Sequence, residues 1–203
     1  GSKIWFTFME YYLLMALHTD NYINALAIYK KASSNTKFKR ITGVEKEKWN
    51  IYEIYLNYII ESKGANNPIL RAQKRKSFRL SRFLNDSILY PKDQRIFTVH
   101  LLIGQVLFLI EKNSYSAATE RIDRLKNYAN RQLKKDDYFR AIQFIRLLQQ
   151  LSKVDFRYDS VSNVEKYYSR LIEQPFKYRG LLNEIEIIPY EKLWQIVLER
   201  VRK

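Results

Sequence analysis

Apolar side chains recur at three- and four-residue intervals along most of this chain, the rhythm of helices that bury one face. The first predicted helix runs from about Lys3 to His18, with Trp5, Phe8, Tyr12 and Met15 on one stripe. Asp20 is a candidate N-cap for a second helix that ends among Ser33, Ser34 and Asn35. A third begins after Thr42, whose pairing with Glu45 has the spacing of a capping box. Its inner face is lined by Trp49, Tyr52, Leu56 and Ile59, and Gly64 is the expected stop.

Residues 64–76, GANNPILRAQKRK, read as a linker, because Gly, Asn and Pro are followed by a basic run. Phe78, Leu80, Phe83 and Leu84 predict a short helix that turns at Pro91, before a long apolar helix from about Lys92 to Lys112. Ser114 opens another, with Ala118, Ile122 and Leu125 inward, and Asp136 or Asp137 begins the next, carrying Phe139, Ile142, Ile145 and Leu148. Ser162 and Glu165 form a second capping-box pattern, in a helix that stops at Pro175. Glu184 to Ile188 reads as extended. Pro189 opens a last helix with Leu193, Trp194, Val197, Leu198 and Val201 on one face and Lys192, Gln195, Glu199 and Arg202 on the other. One wet face suits the end of a helical stack.

Composition agrees with an all-α chain. Hydrophobic residues make up 46% and aromatics 15% of 203 residues, enough for a sizeable core, while 5 Gly and 4 Pro leave few turns. No cysteine is present, which removes disulfides and thiolate chemistry, and with only two histidines, His18 and His100, the ligands for a structural zinc site are lacking; no metal or cofactor is expected. Gly1 and Ser2 have the look of a cloning remnant, so the chain is expected to be the C-terminal part of a larger, bacterial-type cytoplasmic protein. The apolar stretch Ile96 to Ile110 is too short to span a bilayer and reads as a helix surrounded by helices.

Tyr22, Ala25, Tyr29 and Ala32 are spaced three, four and three apart, so small residues allow close helix approach and tyrosines fill the gaps. On these positions Met9 to Ala32 resembles a tetratricopeptide repeat, a helical hairpin of about 34 residues. The first helix departs from the pattern at Leu13, Asp20 stands in place of the turn glycine, and Lys37 in place of the closing proline. Tyr115 with Ala118 and Tyr138 with Ala141 are weaker echoes, the first 93 residues after Tyr22 and the second 23 further on, so the repeats are degenerate. The resemblance implies a TPR-like superhelix of stacked antiparallel hairpins, eight or nine helices in all, whose concave face takes up peptides or partner domains. The expected organisation is residues 3–63 as N-terminal hairpins, 64–76 as basic linker and 77–203 as C-terminal array, in one continuous solenoid.

Formal net charge is +15. Arg71, Lys74, Arg75, Lys76, Arg79 and Arg82 lie together without an acid among them, and could meet phosphates or an acidic partner, with Phe78 or Phe83 as stacking surfaces. A solvated linker leading into an amphipathic helix explains the same residues. Arg121, Arg124, Arg131 and Lys135 form a second stripe, blunted by Glu120, Asp123 and Asp136 and read as solvated surface. The acid pairs Glu120/Asp123, Asp136/Asp137 and Glu184/Glu186 are each surrounded by Lys or Arg, and read as salt-bridged surface rather than a general acid and base. His18 suits a helix end, and His100 a core position with a hydrogen-bonding partner. The Glu184–Ile188 segment is expected to cross the helices as a strap, or else to offer an edge to a partner strand.

The expected function is accordingly a protein-interaction scaffold with a groove of Tyr and basic residues for acidic or aromatic peptides, not an enzyme and not bound to a membrane. Nucleic-acid binding through residues 71–82 is the alternative.

Overall fold

The computed structural model describes residues 2–73, 78–85, 90–133, 137–157, 159, 164–177 and 185–202. They are helical throughout, with no strand among them, and fall into two compact units, Gly1–Arg79 and Leu80–Lys203.

In the first unit, α1 (Ser2–His18) and α2 (Tyr22–Ser33) are joined by three residues, short enough to force an antiparallel hairpin. Asn21, not Asp20, caps α2 by accepting from the Asn24 N–H, while Asp20 sits in the left-handed region at φ 59°. A 3-10 turn over Thr36–Arg40 leads to α3 (Gly43–Lys63). The capping box at its start does not form. Thr42 makes no side-chain cap, and Glu45 pairs instead with Lys48 at 3.1 Å. Residues 64–73 of the expected linker have local structure of their own. Gly64–Asn66 is a 3-10 turn, and Asn67 caps a short helix α4 (Pro68–Ala72), which buries Leu70 and packs on α2 and α3. Asn before Pro is a cap followed by a residue that needs no N–H partner.

Trp49, 1% exposed, centres the core of this unit. Phe6, Tyr29, Phe38 and Tyr52 surround it with ring centroids 5.7–6.3 Å away, three of the four edge-on. One acid is buried there. Glu10 on α1 accepts from Lys48 Nζ at 2.8 Å and from the Tyr52 hydroxyl at 2.6 Å. Burial works against the Lys48 charge, but Glu10 and Glu45 outweigh it and hold the ammonium above its ordinary pKa.

In the second unit, α5 (Leu80–Asn85) precedes a 3-10 turn at Lys92–Gln94 and α6 (Arg95–Glu111), of which Ile96 to Ile110 are all buried. Three residues connect α6 to α7 (Tyr115–Gln132), followed by α8 (Phe139–Ser152), α9 (Val164–Glu173) and α10 (Tyr190–Val201). Each of α6 to α9 packs on the next, and α10 closes against α6, α8 and α9. Lys92–Glu111, at 20 residues and mean hydropathy 1.3, is long and apolar enough to cross a membrane by length and composition alone, but 83% of its apolar window is buried inside the protein, as expected of a helix surrounded by helices.

Three polar side chains inside α6 make hydrogen bonds to the backbone of other segments. Gln105 donates to the Phe83 carbonyl at 2.8 Å, Thr98 accepts from the Tyr90 N–H at 3.1 Å, and His100 Nε2 donates to the Ile185 carbonyl at 2.9 Å. The bond to a carbonyl fixes the proton on Nε2, and burial lowers the imidazole pKa to about 4. Ile185, Ile187 and Ile188 are buried against the helices, as a strap would be; Glu184 lies outside the described residues.

Candidate interaction surface

Two faces of α1 carry apolar residues at helical spacing. Phe6, Met9, Leu13, Ala16 and Leu17 are buried. Ile4, Phe8, Tyr11, Tyr12 and Met15 are exposed by 49–65%, and Trp5 is half-buried. The stripe through Phe8, Tyr12 and Met15 is thus the outer face, whereas the rhythm of apolar residues places it among packed helices. Single exposed apolar residues are common, but five large ones in register along one helix form a continuous patch of the kind that marks an interaction site. Ile23 of α2, 43% exposed, adds a sixth. A groove of about 310 Å³ between the two helices runs beside it, lined by Tyr12 and Met15 from α1, Thr19 from the turn and Asn24, Ala27 and Lys31 from α2. The exposed charges on α2 are all basic, Lys30 and Lys31.

The turn that shapes this hairpin is repeated at the first echo. In α1–α2, Asp20 lies at φ 59°, the Asn21 N–H reaches the Ala16 carbonyl at 2.8 Å, and the Tyr22 hydroxyl donates to Asp20 Oδ1 at 2.8 Å. In α6–α7, Asn113 lies at φ 55°, the Ser114 N–H reaches the Leu109 carbonyl at 2.9 Å, and the Tyr115 hydroxyl donates to Asn113 Oδ1 at 3.0 Å. Both second helices start at the tyrosine and bury an alanine three residues on, Ala25 and Ala118, each with no exposed surface. Asp and Asn tolerate the left-handed conformation that ends each first helix.

The basic segment is placed as follows. Lys74, Arg75 and Lys76 lie outside the described residues; Arg71 on α4 and Arg79 are exposed in the first unit, and Arg82 on α5 is exposed in the second. Phe83 is a core residue edge-on to Phe108 at 5.9 Å, so it offers no stacking surface. In the second stripe, Arg124 and Arg131 are exposed, Lys135 is outside the described residues, and Arg121 departs from the solvated reading by donating to the Leu84 carbonyl at 2.9 Å.

Glu186 is also corrected, since it is buried, not on the surface. Arg140 holds it through two hydrogen bonds and also donates to Glu191 and to the Leu171 and Gln174 carbonyls, tying α8, α9, the strap and α10 together. Burial pushes the Glu186 carboxyl up, while Arg140 and the Tyr190 N–H oppose it. A cavity of about 370 Å³ opens beside this knot, between Tyr138, Glu173, Lys177 and Tyr190. The guanidinium is occupied on all sides, which is what a structural tie requires. No group of three His, Cys, Asp or Glu could hold a metal among the described residues. Sequence reasoning missed this network because its partners are 31 to 51 residues apart. Comparison with protein-family models, characterised proteins and solved structures found no match.

Proposed function

We propose that the chain is a TPR-like interaction scaffold that binds a partner protein through the outer face of α1 and the adjoining groove on α2. The observation that carries this reading is the exposed stripe Ile4, Phe8, Tyr11, Tyr12 and Met15. Tyrosines are well suited to such a face, offering large contact area at small entropic cost. The repeated Asp20/Asn113 turn and the packing of helices on their sequence neighbours support the hairpin-repeat part of the reading, that of a stacked superhelix. Lys30, Lys31 and the +15 net charge favour a partner with acidic flanks. The buried carboxylates Glu10 and Glu186 are both engaged by cations, which fits structural roles rather than acid–base catalysis.

Replacing Phe8, Tyr12 and Met15 together by Ser tests it. Affinity capture from a lysate at moderate salt should yield a partner with the natural chain and lose it with the variant, while thermal unfolding is unchanged. Capture that is indifferent to the triple change overturns the reading. Nucleic-acid binding through residues 71–82 is a second reading, supported by the exposed Arg71, Arg79 and Arg82; it calls for an affinity that falls steeply with salt and is lost when Arg79 and Arg82 become Ser.

A further inference from the structure

The strongest remaining feature lies at the other side of the first unit, where the start of α1, the 3-10 turn and the start of α3 converge. They line an open cavity of about 540 Å³, inside the range of roughly 300–1,000 Å³ usual for small-molecule sites. Lys3, Lys37 and Arg40 contribute its cations, one from α1 and two from the turn, and Thr42 a hydroxyl that does not cap its own helix. None of the three cations has an ion-pair partner among the described residues. Glu45, the single acid of the lining, already pairs with Lys48, and nearby Glu10 is spent on Lys48 and Tyr52. Phe6, Ile41 and Trp49 supply the apolar part of the wall. From Asn21 to Val44 the chain has no acidic residue and five basic ones, Lys30, Lys31, Lys37, Lys39 and Arg40. All three cations are exposed at the rim, and an indentation lined by one sign of charge focuses its field on an incoming anion.

We infer that this cavity is a binding site for a phosphate-bearing organic anion, its phosphate held by Lys37, Arg40 and Lys3 and its apolar part resting on Phe6 and Ile41. Arg and Lys hydrogen bonds to phosphate are charge-assisted, the stronger class. The site is independent of the α1 outer face. Its phosphate could belong to a soluble ester or to an anionic lipid, and one set of variants separates the two sources.

Isothermal titration with phenyl phosphate and with inorganic phosphate examines the soluble source. Co-sedimentation with phosphatidic acid vesicles, against phosphatidylcholine vesicles, examines the lipid. For a soluble ligand, phenyl phosphate binds more tightly than inorganic phosphate, and the double variant K37S/R40S weakens it about tenfold or more. For a lipid, phosphatidic acid vesicles alone pull the protein down, and the same variant releases it. The control R124S/R131S, on the exposed face of α7, removes equal charge outside the cavity and leaves binding intact. Single R40Q, measured beside thermal unfolding, keeps the test decisive where the double change disturbs the fold. Absence of binding to any probe, or equal loss in the control, overturns the inference.

Discussion

The α1–α2 and α6–α7 hairpins turn in the same way but bury their first helices differently. Each turn places an Asp or Asn in the left-handed region, accepts a tyrosine hydroxyl there and sinks an alanine three residues after that tyrosine. Yet α6 is buried along Ile96 to Ile110, whereas α1 leaves five large apolar residues in solvent. The turn is decided locally, by caps and one unusual backbone angle. Burial is decided by what packs around the helix: α7, α10 and the strap cover α6. Among the described residues the outer face of α1 stays exposed, and that difference separates a helix buried all round from one buried on a single side.

The comparison breaks most visibly with a matched pair of substitutions. Phe108→Ala on α6 removes a ring that is 1% exposed and should cost about 3–5 kcal/mol in denaturant unfolding. Phe8→Ala on α1 removes one that is 58% exposed and should stay within about 0.5 kcal/mol. Equal losses would mean that the two faces are not different.

Polar burial sharpens the contrast. The buried acid of α1, Glu10, lies 2.8 Å from the Lys48 ammonium, whereas the imidazole inside α6 has a backbone carbonyl for its partner and stays neutral. Above pH 6.5, His100 is neutral in the folded and unfolded chain alike; between 6.5 and about 4 the unfolded chain takes up a proton that the folded one does not. Stability therefore falls as pH drops through this window, by about 3 kcal/mol at most. His100→Gln should flatten that part of the melting temperature against pH, and an unchanged slope would show that another group is responsible.

A smaller effect tests the shared turn. Asp20→Gly and Asn113→Gly each relieve a left-handed residue and each lose the tyrosine hydrogen bond, so both changes should fall within about 1 kcal/mol and agree in sign. Opposite signs would mean that the turns only look alike.

Much of this was legible in the sequence. Helix positions followed the apolar rhythm, and Tyr22, Ala25, Tyr29 and Ala32 marked the packed side of α2, where the last three are buried. The faces of α1 were not legible, because Phe6, Met9, Leu13 and Leu17 repeat with the same period as Ile4, Phe8, Tyr11 and Met15. A helix apolar all round gives no hint of which stripe goes inward, and the buried Glu10 points the wrong way until Lys48 is seen beside it. Capping signals misled where a side chain had a better partner, as Glu45 has in Lys48. The cavity at Lys3, Lys37 and Arg40 left a trace in the acid-free run from Asn21 to Val44, but Lys3 joins it only through the fold.

The chain holds two methionines, both on α1 and on opposite faces: Met9 is 8% exposed and Met15 58%. Peroxide treatment of the folded protein, with sulfoxide located by peptide mass spectrometry, reads the orientation of the helix directly, since oxidation follows exposure. Met15 should oxidise well ahead of Met9. Oxidation of Met9 first, or of both at one rate while the protein remains folded, would contradict the assignment of the outer face on which the proposed binding rests.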